Sequence, residues 1–317
     1  MSARIDAVTL EVMRNRWKGI AEEMCAALVR TSYSTNIKDR RDCSAAIALP
    51  TGDILAQAEV GTPLHLGIMP AVITSVLRRF PVEEMGPGDM YITNLPYPEG
   101  PGHLPDLSMI SAVFDDDGRA VAIAASTAHH VDMGGFAPGS MPLGVTEIYQ
   151  EGLQIPPTRM FISGEIDDTL YRLINQNVRT RHEVLGDLMA QYACACTAQR
   201  RVAEMLQRSD SGAVLPSMTA ILDHGERRMR QAIAAVADGT CSFDREATYA
   251  MLLVQQLPSG VLGLMVVSLL AAFMSTMPDD IEEMLVATRK ADAAYQMLVQ
   301  VRSRLMEAYQ EIKQLRE

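Results

Sequence analysis

Apolar residues recur at helical spacing from the start of the chain. Leu10, Met13, Trp17, Ile20, Met24, Ala27 and Leu28 fall on one face of a 3.6-residue repeat, so the chain opens with an amphipathic helix. The period then shortens. CSAAIALPTGDILAQA, Cys43 to Ala58, holds two short apolar runs around the turn signal Pro50-Thr51-Gly52-Asp53 and predicts a pair of strands. A helix is expected from about Ala71 to Phe80, and the turn GPGD leads into a strand signal, MYITN. Leu107–Phe114 and Ala120–Thr127 are apolar runs joined by DDDGR, which predicts an antiparallel hairpin. With Asp115–Gly118 as its loop and no bulge, Asp106 faces Thr127 and His103 faces His130. A one-residue slip would exchange the two faces of either strand. Residues 175–206 read as one long amphipathic helix with Asn175, Asn177 and Arg181 at its start. Residues 1–246 are therefore expected to be a mixed α/β (α+β) domain of antiparallel strands and amphipathic helices.

The character changes near residue 247. No charged residue occurs from Ala247 to Pro278, and Leu257–Thr276 is long enough to cross a bilayer, which takes about 20 residues. A buried apolar helix is the competing reading of this segment, 247–278. Residues 279–317 then carry Met284, Ala287, Ala291, Ala294, Leu298, Val301, Leu305, Ala308, Ile312 and Leu315 in steps of three and four, a heptad seam.

Composition narrows the functional classes. Across 317 residues, 48% hydrophobic content supports a sizeable core, and a net charge of -11 excludes a nucleic-acid binder, because phosphate recognition needs a basic face. Five cysteines without zinc-ribbon spacing imply free thiols in a reducing compartment. The N-terminus lacks the apolar stretch of a secretory signal, so a cytoplasmic location is expected, with membrane association if residues 257–277 insert. No phosphate-binding loop is present, and any ATP must be handled by a partner.

The chemistry concentrates at the open end of the hairpin. Of six histidines, four fall at positions 65, 103, 129 and 130. The segments GHLPD and HHVD meet there, and imidazoles with carboxylates form the ligand set of a borderline divalent cation such as zinc, manganese or iron(II). The candidate ligands are His103, Asp106, His130 and Asp132, with Glu59 from AEVGTPLHLG. His65 and His129 are candidates for proton transfer. Gly134 and Gly135 allow backbone to approach a ligand closely. Arg40 and Arg41 either bind an anionic substrate or form a solvated turn pairing with Asp39 or Asp42. A purely structural hydrogen-bond cluster of the histidines is the alternative to a metal site.

Six stretches carry a resemblance: VTLEVMRNRWKGIAEEM, RTSYSTNIKDRRDCSAAI, PLHLGIMP, GHLPD, AHHVDMGGFAPGSMP and TEIYQEGLQIPP. Together, from about Asp6 to about Arg245, they resemble the hydantoinase B/oxoprolinase family. The resemblance implies a subunit that hydrolyses cyclic amides such as hydantoin or 5-oxoproline, or carboxylates ketones as in acetone carboxylase, beside an ATP-handling hydantoinase A-like partner. It implies a divalent metal on Glu59, His103, Asp106, His129 or His130, and Asp132, polarising the substrate carbonyl. The family's chains are longer, so the resemblance also implies a truncated member.

Two further resemblances lie beyond it. Leu257–Thr276 is similar to a span of sodium/solute symporters, and Lys290–Leu315 is similar to the C-terminal helix of the flagellar hook-basal body protein FliE. These imply a chimeric chain, and they raise a second functional expectation, a non-catalytic assembly protein whose last helix docks into a helical bundle.

Overall fold

The N-terminal pattern folds as helix α1, Ala7–Thr31, capped by Asp6, whose carboxylate accepts from the Val8 and Thr9 amides. In the computed structural model, residues 5–96, 98–100, 102–140, 145–208 and 211–234 are described. The expected apolar segment and heptad helix after residue 246, with their symporter-like and FliE-like stretches, lie outside these residues, as does Cys241. One stripe of α1 is buried: Met13, Trp17, Ile20, Ala21, Met24, Cys25 and Leu28. A single turn, α2 (Thr35–Lys38), then leads to strands β1 (Cys43–Ala48) and β2 (Ile54–Gln57), paired antiparallel as their pattern requires.

Helix α3 runs Pro63–Arg79, starting earlier than the expected Ala71. Pro63 suits a first helical position, where its missing N–H is not needed, and the helix continues through Pro70. Strand β3 (Met90–Thr93) precedes the hairpin β4 (Asp106–Phe114) and β5 (Ala120–His129). Strands β6 (Thr158–Ile162) and β7 (Glu165–Ile166) complete one antiparallel sheet in the order β2-β1-β5-β4-β3-β6-β7. The long helix expected over residues 175–206 is two: α4, Asp168–Asn177, and α5, Arg181–Leu206, separated at Val178 to Thr180. Asn175 and Asn177 therefore end one helix rather than start the next. Helix α6, Val214–Ala234, follows.

Strand alternation sends each residue to one of two helical layers. Cys43, Ala45 and Ile47 of β1, with Ala122, Ala124 and Ala128 of β5, pack against α1, α5 and α6. Their neighbours Ala46, Ala48, Ile123 and Ala125, with Tyr91 and Ile110, pack against Met69, Val72, Ile73 and Val76 of α3. Both faces are covered, which is why β4 and β5 read as nearly continuous apolar runs.

The hairpin register differs from the expected one. A bulge at Val113/Phe114 and pairing of Phe114 with Ala120 shift the ladder so that Asp106 faces His129 rather than Thr127. The shift is by two residues and leaves each side chain on its own face. Among the described residues no helix is long and apolar enough to cross a membrane, and Cys25, Cys43, Cys194 and Cys196 are free thiols, as their spacing suggests.

Trp17 is fully buried and its indole N–H reaches the Ser217 hydroxyl at 3.4 Å, joining α1 to α6. Trp17→Ala is expected to lower the unfolding free energy by about 3–5 kcal/mol, read as a lower urea midpoint. An unchanged midpoint would mean that α1 does not anchor the sheet.

Candidate metal centre

Three strand ends and one helix start meet at the α3 side of the sheet. Asp106 opens β4, directly across from His129 at the end of β5. On the other side of β5, Asp42 lies one step beyond the Cys43–Ala128 pair, and its carbonyl accepts from the His129 N–H at 3.0 Å. A tight turn, Asp106 N–H to His103 carbonyl at 3.3 Å, folds His103 back beside Asp106. His65 enters from the first turn of α3.

Asp106 is the hub. Its Oδ2 is 2.9 Å from His103 Nε2 and 3.4 Å from His65 Nε2, and its Oδ1 is 3.0 Å from His129 Nδ1. The His103 and His129 rings are tilted with centroids 4.9 Å apart. Only 2% of Asp106 is exposed. Burial alone would raise its pKa, but hydrogen bonds from His103, His129 and His65 outweigh it and hold the carboxyl well below the usual range. For His103, burial opposes the charged form, yet the hydrogen bond and charge of Asp106, with Glu151 and Asp42 farther out, raise its pKa. Ligand atoms of His103, Asp106 and His129 lie within 4.8 Å of one another, from two chain segments, a geometry and donor set that suit a divalent cation.

The other candidates sit elsewhere. His130, the neighbour of His129, turns to the opposite face of the sheet, where its Nε2 is 3.0 Å from Gln191 Oε1, and burial pushes its pKa down. Asp132 takes hydrogen bonds from the Ser140 hydroxyl, the Gly134 N–H and both backbone and guanidinium of Arg179. Glu59 is exposed and paired with Lys18. Neither carboxylate belongs to the cluster, and of the expected ligands His103 and Asp106 meet with His129 instead. His65 is 2% exposed and His129 faces Asp106, so both stand inside the cluster rather than at its mouth. The open flank is His103 and Asp42, with side chains 23% and 34% exposed.

Gly134 and Gly135 do permit close approach, but to protein: a side chain on them would collide with the Asn177 and Glu151 carbonyls respectively. Arg40 and Arg41 are exposed, and among the described residues no ion pair joins them to Asp39 or Asp42. Asp42 instead accepts from the Thr62 hydroxyl at 2.6 Å and lies 3.8 Å from His65 Nε2 and 4.0 Å from His129 Nδ1.

Sequence reasoning missed the supports. Asn94 is fully buried and satisfied, donating to the Leu104 and Leu153 carbonyls and accepting from the Ile155 N–H. Glu151 accepts from the Leu104 N–H at 3.1 Å. Between them they fix the turn that carries His103. The signal for Asn94 was its place just after the strand MYIT; nothing local marks Glu151.

A family model described as Hydantoinase B/oxoprolinase matches residues 6–257, and one described as flagellar hook-basal body complex protein FliE matches residues 266–316, outside the described residues. An uncharacterised protein of Methanocaldococcus jannaschii is 37% identical over 72% of this chain and 40% of its own. The 5-oxoprolinase 1 of Arabidopsis thaliana is 33% identical over 75% of this chain and 19% of its own. The crystal structure of ATP-dependent caprolactamase from Pseudomonas jessenii superposes with a TM-score of 0.67 at 31% identity, over 75% of this chain and 40% of that one. The chain thus spans 40% or less of these relatives' lengths.

The Asp132 network yields a pH expectation. Burial raises the carboxyl's pKa, but hydrogen bonds from the Arg179 and Gly134 amides and the Ser140 hydroxyl, and the Arg179 charge, lower it overall. A depressed carboxyl contributes stability that is present above about pH 4, the unfolded value, and is lost as pH falls through the folded one. Asp132→Asn should flatten this acid limb in thermal melts, and Asp132→Ala should cost about 2 kcal/mol or more at neutral pH, since it leaves buried donors unpaired. A parallel acid limb in the Asn variant would remove Asp132 as its source.

Proposed function

The chain belongs to the hydantoinase B/oxoprolinase family, and we propose that it is the metal-binding portion of a subunit that activates the carbonyl of a cyclic amide for hydrolysis, beside an ATP-handling partner of the hydantoinase A type. One observation carries the reading: ligand atoms of His103, Asp106 and His129 converge within 4.8 Å at the open end of a buried hairpin. The likeness to proteins named 5-oxoprolinase and ATP-dependent caprolactamase supports a cyclic amide and a requirement for ATP.

His103, Asp106 and His129 would hold zinc, manganese or iron, which when bound supplies Lewis acidity toward a carbonyl oxygen. His65, behind Asp106 at 3.4 Å, orients the carboxylate that the two ligating imidazoles share. Substrate enters past His103 and Asp42, the exposed side of the cluster. Arg40 and Arg41 precede Asp42 in the chain and are exposed, so an anionic group on the substrate or partner would find them near this entrance. Asp106, His65 and the apolar α3 layer shut water from the inner side. A ketone would present the same carbonyl, and turnover of lactam against ketone with the partner present separates these substrates.

Metal content tests the reading directly. Plasma mass spectrometry of protein purified without chelator should give near-stoichiometric divalent metal, with a drop of at least about tenfold in affinity for His103→Ala and for Asp106→Ala, and none for Glu59→Gln. A folded parent without metal, or variants that keep it, sinks the assignment.

The match of residues 266–316 to FliE favours a separate role for that segment, docking into a helical bundle. Sedimentation should then show self-association that disappears when residues 279–317 are removed; a monomer at all concentrations rules this out.

A further inference from the structure

The sheet face away from the cluster buries a second set of polar side chains. His130 points there, and so do Gln191 and Asp187, which lie one helical turn apart on α5. The Gln191 amide nitrogen donates to the Leu107 carbonyl at 2.9 Å and reaches Ser126 Oγ at 3.4 Å. A backbone carbonyl only accepts, so the amide nitrogen must face it and the amide oxygen must face His130. The His130 Nε2 therefore carries the proton in that 3.0 Å contact.

Two atoms remain. Asp187 Oδ1 accepts from the Tyr33 and Ser34 amides at 2.7 and 3.1 Å, but Asp187 Oδ2 has no hydrogen-bond partner among the described residues, and neither has His130 Nδ1. Both residues are fully buried. Gln191 holds the His130 ring and Asp187 precedes it by one helical turn on α5, which brings the buried Asp187 and His130 side chains to the same part of this face. A carboxylate oxygen and the bare nitrogen of an Nε2-protonated imidazole are both acceptors, and no rotation of either ring or carboxyl lets one satisfy the other.

We propose that His130 Nδ1 and Asp187 Oδ2 form a binding site for one small two-proton donor, a water molecule or an ammonium ion, that bridges them. Buried acceptors of this kind are ordinarily satisfied by such a molecule. A water fits either charge state of the ring, since it can donate to both acceptors or accept from an imidazolium and donate to the carboxylate. The bridge closes a ring of contacts that encircles one strand end: His129 and His130, the bridging molecule, Asp187, the Tyr33 and Ser34 amides, α2, and the Asp42 carbonyl that holds the His129 N–H. Helix α5 thereby helps to position a residue of the cluster on the far side of the sheet. The site stands on this face alone and does not require a metal at the cluster.

The test is a crystal structure of the full chain at a resolution that shows ordered waters, for the parent and for Asp187→Asn. An isolated peak within hydrogen-bond distance of both atoms is expected in the parent. Its retention in Asp187→Asn assigns water, because an amide also bonds water; its loss there assigns ammonium, which the carboxylate's charge holds. A parent with no peak between the two side chains, or with a direct His130–Asp187 hydrogen bond, overturns the proposal. Nitrogen-15 spectra of the parent guard against a variant that fails to fold: a neutral His130 ring protonated on Nδ1 alone also overturns it.

Discussion

A carboxylate that is 2% exposed must be compensated by its neighbours, and Asp106 meets that demand with three imidazoles. The surrounding architecture follows from bringing those rings to one oxygen pair. The hairpin must register Asp106 against His129, the turn before β4 must return His103 to the strand end, and α3 must begin where His65 can reach in. Removing any one ring would take a hydrogen-bond partner from a buried carboxylate. The two rings nearest the carboxylate, His103 and His129, complete with it a donor set that would suit a divalent cation.

The loops around this hub are held by side chains that saturate their own hydrogen bonds. Asn94 joins three backbone groups, Glu151 ties down Leu104, and Asp132 gathers the Gly134 and Arg179 amides with the Ser140 hydroxyl. None of these acids or amides touches the place where a cation would sit. They make irregular backbone rigid where no ladder is available to do so.

Local pattern was a good guide to elements and a poor one to their joins. The spacing of Met13, Trp17, Ile20, Met24 and Leu28 foretold α1 because a helix face is a short-range property, and the runs on either side of DDDGR foretold the hairpin. The break at Val178 to Thr180 and the bulge at Val113/Phe114 were not legible, because tertiary contacts decide them. At the site, the gathering of GHLPD with HHVD was readable from the hairpin, and His103 and Asp106 followed. That His129 rather than His130 joins them follows from strand alternation, which puts His129 on the face of Asp106 in the expected register as in the observed one. Asp42 looked like half of a surface ion pair, and only the β1–β5 ladder reveals that it stands beside His129. Asp187 and Gln191 looked like ordinary helix positions, and their partners are far away in sequence.

His129 and His130 face opposite layers because strand side chains alternate, and this makes the two halves of the hairpin unequal before evolution. The turn Asp115 to Arg119 is exposed and closes outside the ladder, so its length is free to vary. Within β5, gain or loss of a single residue would send the His129 position to α5 and the His130 position to α3, dismantling both polar groups at once. Lineages descended from this chain should therefore vary the length of the hairpin at its tip and keep the strand's count unchanged.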